Sequence, residues 1–156
     1  MSPTNKWIIF AVVTLTVLIY TEPEKTNPLT IENEIIYNTT LTMPDTVKKL
    51  LRSSCFDCHS NETKWVWYTY IPIASHFTGN HVQEGRKHLN FSKWGSYKIG
   101  RKLNKLAEIK EMVESHEMPI NNYLWLHPEA DLTDDQRRLI IDWAIKEVDT
   151  LAIITK

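Results

Sequence analysis

Cys55-Phe56-Asp57-Cys58-His59 constrains this chain more than any other stretch, because the only two cysteines stand three positions apart with a histidine directly after the second. Such a pair cannot staple distant parts of a fold, so a structural disulfide framework is excluded and the pair points to local chemistry. The spacing is the c-type haem attachment pattern, in which two thiols add to the haem vinyl groups and the adjacent histidine reaches the iron. A short turn sets both sulfurs along one porphyrin edge and aims the imidazole towards the ring centre. Covalent attachment also keeps a large cofactor in a domain too small to hold it by packing alone.

Two other uses of the motif compete with this one. A dithiol redox pair of the thioredoxin kind needs a βαβ setting, and no strand pattern precedes Cys55. A zinc site wants a second pair of Cys or His ligands at matching spacing, and no second cysteine pair exists. On these grounds Cys55 and Cys58 are expected to bind one haem c covalently, with His59 as the proximal iron ligand.

From Trp7 to Tyr20 the chain is uncharged and apolar with an aromatic residue at each end. The run is shorter than the roughly 20 residues that cross a bilayer, and its length suits a signal-peptide core equally well. The residues that follow, Thr21-Glu22-Pro23-Glu24-Lys25, lack a small-x-small cleavage site, which favours an uncleaved signal anchor. A buried core helix is the weaker alternative, since the run has no polar face. Lys6 precedes it while Glu22 and Glu24 follow, so the positive-inside tendency leaves the N-terminus in the cytoplasm. The expected location is a bacterial inner membrane with the haem domain in the periplasm.

The expected organisation is residues 1–21 as membrane anchor or signal segment, 22–38 as a polar tether with two prolines, and 39–156 as the haem-binding domain. The spacing of Val47, Leu50, Leu51 and Ser54 predicts a helix from Asp45 to Ser54 that leads into Cys55. Leu103, Leu106, Ile109, Met112 and Val113 predict a second over about Gly100 to His116. Thr133-Asp134-Asp135-Gln136 is a capping box that opens a third. Between Asn61 and Gly100 no periodicity persists, and loops with short helices are expected, rich in Trp, Tyr and Phe. No alternating strand pattern is found, so the expected class is all-α.

For the sixth iron position the candidates are Met118, His76, His81, His88, His116 and His127, or an open site. Met118 is preferred because Glu117-Met118-Pro119 follows a helix and precedes a rigid residue, which suits a loop-borne thioether; filling the core is its alternative role. The net charge of -1 without like-charge blocks sets nucleic-acid binding aside.

The chain resembles the bacterial haem-binding domain family of small c-type cytochrome-like proteins with an N-terminal membrane segment. The resemblance is carried by Cys55 to Asn61, by Trp65-Val66-Trp67-Tyr68, by Glu84 to Trp94, and by Glu117-Met118-Pro119 with the later His127-Pro128-Glu129-Ala130. Together these span about Pro44 to Trp143. One departure is Val66, where proline is expected between the tryptophans. The resemblance implies a cytochrome c-like small helical domain with long connecting loops around one covalent haem, preceded by a membrane helix. It implies His59 and Met118 as axial ligands. For Arg86 and Asn90 a haem-propionate role stands beside plain structural hydrogen bonding.

The expected function is electron transfer between a membrane-associated donor and an exported acceptor, both redox protein partners, and Lys48, Lys49, Arg52 and Lys64 are candidates for a docking rim. Nothing else in the sequence resembles a catalytic set, so a carrier is expected rather than a catalyst. The alternative is a haem-based peroxidase or a gas or redox sensor with an open sixth position, using His81 or His116 as distal acid and base.

Overall fold

The computed structural model describes residues 2–28 and 43–154, and the end of the expected tether and its boundary with the domain lie outside them. Every regular element among the described residues is helical. The chain begins with α1 (Pro3–Tyr20), whose 18 residues are exposed almost throughout and are long and apolar enough, by length and composition, to cross a membrane. Proline at its first position needs no backbone N–H there, which suits a helix start.

The next described helix is α2 (Asp45–Ser54), with the bounds expected from its apolar spacing, and its Asp45 and Arg52 complement the helix dipole at either end. Val47 and Leu51 are buried on one face. A short α3 (Phe56–His59) follows directly, so the cysteine motif forms a single turn closed by the His59 N–H donating to the Cys55 carbonyl at 2.9 Å.

Two long helices make the centre. They are α5 (Ile99–Glu114) and α7 (Asp134–Ile154), joined through a short α6 (Asn121–Leu124) and a 3-10 turn at Pro128–Ala130. Leu106, Ile109 and Val113 of α5 share one apolar cluster with Ile140, Trp143 and Ala144 of α7, and with Val47, Leu51 and Phe56. Leu106 and Ile140 are wholly buried, which stabilises the fold by about 1.5–3 kcal/mol per side chain. The start of α7 is the expected capping box, with the Thr133 N–H donating to Gln136 Oε1 at 2.9 Å and the Gln136 N–H to Thr133 Oγ1 at 3.3 Å. At the other end of α5, His116 adopts φ 60°, the left-handed conformation that stops a helix.

The expectation of loops and short helices between Asn61 and Gly100 needs one correction. Between two 3-10 segments, Trp67–Tyr70 and Phe91–Ser96, runs α4 (Pro72–His88), a helix of 17 residues. Gly79, Gly85, Thr78 and Asn80 lower its intrinsic propensity, and its small residues interrupt any apolar stripe. Its glycines are contact points. A Cβ added at Gly85 would stand 2.5 Å from the Cys58 carbonyl oxygen, so only glycine lets α4 pack this closely on the cysteine turn.

Residues 22–28 lie against the domain. Asn27 Nδ2 donates to the Thr63 carbonyl at 2.9 Å, and Arg86 reaches the Thr26 carbonyl and Asn27 Oδ1 at 2.8 and 2.9 Å.

Candidate functional site

His59 sits at the end of the cysteine turn with its ring held from behind. Its Nδ1 lies 3.0 Å from the Gly85 carbonyl oxygen and 3.2 Å from that of Leu89. A carbonyl can only accept, so Nδ1 carries the hydrogen and Nε2 keeps the free lone pair. That is the tautomer a metal-binding imidazole needs, fixed by the kind of backbone partner that usually orients such ligands. Burial lowers the pKa of His59 despite both hydrogen bonds, which keeps the ring neutral and able to coordinate.

His59 lines a cavity of about 290 Å³ whose wall is largely apolar, including Leu51, Leu89, Phe91, Ile109 and Val113. Cys55, His88, Met112 and Met118 line the same cavity. Lys105 and Glu108 bring charge to the lining and pair with each other at 2.5 Å. A neutral imidazole and two thioethers on an apolar wall are a donor set that suits haem iron, which takes His with Met or His as axial ligands. Among the described residues no three His, Cys, Asp or Glu side chains come together as a closed metal site.

The loop bearing Met118 is fastened on both sides. The Met118 N–H donates to the Met112 carbonyl at 3.1 Å, while the buried Arg137 guanidinium donates to the carbonyls of Met118 at 2.8 Å and Val113 at 3.2 Å. Charge-assisted bonds of this kind hold a short loop more firmly than neutral ones.

Cys55 and Cys58 are both free thiols in half-buried positions. Burial pushes the Cys55 thiol up to about 12 and the Cys58 thiol to about 11, with the charge of Cys58 adding to the effect at Cys55 and that of Asp57 adding to it at Cys58. Both are therefore protonated near neutral pH, unlike the low-pKa thiolates of redox-exchange pairs. Cys58 does not line the cavity of His59. It borders a second one of about 120 Å³, with Asp57, Trp65, Tyr68, Phe77 and Tyr123.

The structure thus brings Cys55, His59 and Met118 to one cavity and sets Cys58 at its neighbour. It also sorts the remaining histidines. His76 bonds the end of α1, His81 borders the smaller cavity against Phe77, His116 terminates α5, and His127 bonds Tyr68 and Glu129. Only His88, exposed at the end of α4, shares the cavity with His59.

Arg86 and Asn90 both make hydrogen bonds within the domain. Arg86 donates to the Ser60 carbonyl and Thr63 Oγ1, both at 2.8 Å, and Asn90 bonds Asn61 Oδ1 and caps the Ser92 N–H. Of the basic residues near the motif, Arg52 pairs with Glu62 at 3.4 Å and lies over the Phe56 ring. Sequence reasoning had His88 among the candidate ligands but placed Met112 only on a helix stripe, and it missed that Met112 lines the cavity of His59 and that Tyr123 Oη bonds Asp57 Oδ2 at 2.9 Å. The last joins residues 66 apart and leaves no local signal.

A family model described as a haem-binding domain matches residues 12–146, nearly the whole chain. No curated protein and no solved structure is matched.

Proposed function

The chain belongs to the haem-binding domain family, and from that premise we propose that it is a membrane-tethered c-type cytochrome domain carrying single electrons between a membrane-associated donor and an exported acceptor. In this reading α1 crosses a bacterial inner membrane with its N-terminus in the cytoplasm and the haem domain in the periplasm.

Cys55 and Cys58 would hold the haem through thioether bonds to its vinyl groups, and His59 through Nε2 and Met118 through its thioether would ligate the iron. When bound, the haem supplies one-electron cycling between ferrous and ferric states. The residues around it tune that cycle: the Gly85 and Leu89 carbonyls orient His59, Arg137 holds the Met118 loop, and the apolar wall excludes water and lowers the local dielectric. Methionine ligation raises the potential relative to histidine ligation.

The observation that carries this reading is the convergence of His59 and Met118 on one apolar cavity. The peroxidase or sensor reading has less support, since neither His81 nor His116 borders that cavity. Exposing the reduced protein to carbon monoxide tests the choice. A saturated carrier keeps its spectrum and titrates reversibly with a one-electron slope; rapid carbon monoxide binding with a shifted Soret band would favour the open-site alternative.

A further inference from the structure

His76, on α4, meets the last turn of α1. Its Nε2 lies 2.9 Å from the Leu18 carbonyl oxygen and 3.3 Å from Thr21 Oγ1, serving a helix-end carbonyl that has no partner within its own helix. Ile73 and Phe77 stand three before and one after His76, on the same face of α4. They therefore flank the point where α1 ends. Both are exposed, Ile73 at 73%.

Among the described residues, those that leave α1 are packed on the domain. Pro23 packs against Gly79 so closely that a Cβ there would stand 2.6 Å from Pro23 Cβ. Lys25 pairs with Glu22 at 2.7 Å and lies 5.0 Å from the Tyr70 ring centre. Tyr70, Ile71 and Trp67, the last 75% exposed, come from the turn before α4 and extend the apolar surface begun by Ile73 and Phe77. Contiguous exposed apolar surface of this kind marks an interaction site. Trp and Tyr are also the residues that favour the membrane–water interface.

We infer that Trp67, Tyr70, Ile71, Ile73 and Phe77 seat the haem domain in the interfacial layer of the same membrane that α1 crosses, holding it in one orientation. The inference rests on the reading of α1 as a membrane anchor. Lipid is the occupant because the patch adjoins the exposed apolar surface of α1, and residues 21–25, which link them, are packed on α4 or its preceding turn. When α1 spans the bilayer, the patch meets the headgroup and glycerol region. Lys25 lies there with its ammonium over the Tyr70 ring and its charge matched by Glu22. Phe77 and Tyr68 border the same small cavity as Cys58, so the cysteine turn is held on the membrane side, close to a donor in or on the bilayer.

The test uses the full haem-loaded chain, one per nanodisc of phosphatidylcholine and phosphatidylglycerol, with a nitroxide-bearing residue replacing Val13, Trp67, Ile73 or Lys146 in turn. Lys146 is exposed on α7, which packs on α5. Far-ultraviolet circular dichroism checks that each labelled chain keeps its helices. Collisional access to oxygen, which concentrates in lipid, is compared with access to a water-soluble nickel chelate. The expected result is a several-fold higher oxygen-to-nickel ratio at positions 67 and 73 than at 146, with position 13 higher still. A core-like value at 13 with water-like values at 67 and 73 overturns the seating while leaving the anchor intact, and points to a protein occupant or a second copy. A water-like value at 13 removes the anchor reading itself, and the inference with it.

Discussion

Gly85 accepts the Nδ1 hydrogen of His59 through its carbonyl at 3.0 Å, and its Cα lies so near Cys58 that an added Cβ would stand 2.5 Å from that residue's carbonyl oxygen. The obstacle is backbone, which cannot turn aside as a flexible side chain can. Gly85→Ala is therefore expected to push α4 off the cysteine turn. The expected destabilisation is about 1–3 kcal/mol, typical of overpacking, read as a lower midpoint in urea unfolding. The bond orienting His59 should loosen with it, visible as a broadened Soret band.

Part of this arrangement was legible in the sequence. The helices α2, α5 and α7 announced themselves through apolar spacing and, for α7, through the Thr133 to Gln136 capping box. The motif residues Cys55, Cys58 and His59 were legible because their chemistry depends on local spacing. Helix α4 was not. Gly79 and Gly85 read as turn formers along the chain, and only the approach of Pro23 and Cys58 reveals why they are small. Likewise, membership of the cavity that gathers Met118, Met112 and His88 depends on how α4 and α5 pack, which no window of sequence contains.

Met118 is expected to be the sixth ligand, and its two competitors in the cavity give the comparison its force. Met118→Ala should remove the weak near-infrared charge-transfer band of ferric iron bound to methionine and lower the midpoint potential. Met112→Ala and His88→Ala should leave both unchanged. If His88→Ala instead alters the spectrum while Met118→Ala does not, the ligand is the imidazole.

Arg137 is buried and donates to the carbonyls of Met118 and Val113. Arg137→Gln keeps a polar side chain but removes the charge and shortens the reach. Hydrogen bonds from charged groups are worth about 1.5–3 kcal/mol, so a loss of that order is expected in thermal unfolding. The potential should also move in the direction seen for Met118→Ala, though by less, because the loop and not the ligand has been loosened. An Arg137→Gln protein with lowered stability and an unchanged potential would assign Arg137 to the fold alone.

Thr133→Ala removes the hydroxyl that accepts the Gln136 N–H at the start of α7. The expected cost is about 1 kcal/mol, measured by calorimetry, with the haem spectrum unaffected because the cap lies on no cavity-lining residue. A spectral change here would show that loosening the first turn of α7 reaches the Met118 loop through Arg137.

The central claim is covalent haem held through Cys55 and Cys58 with His59 and Met118 on the iron. The most direct measurement is to express the full chain beside a c-type maturation system, extract it with acid acetone, and record the pyridine haemochrome and the near-infrared spectrum. A c-type haemochrome that stays with the protein through extraction, together with the methionine charge-transfer band before it, is the expected result. Haem that passes into the acetone, or no haemochrome where a control cytochrome matures, would contradict the claim.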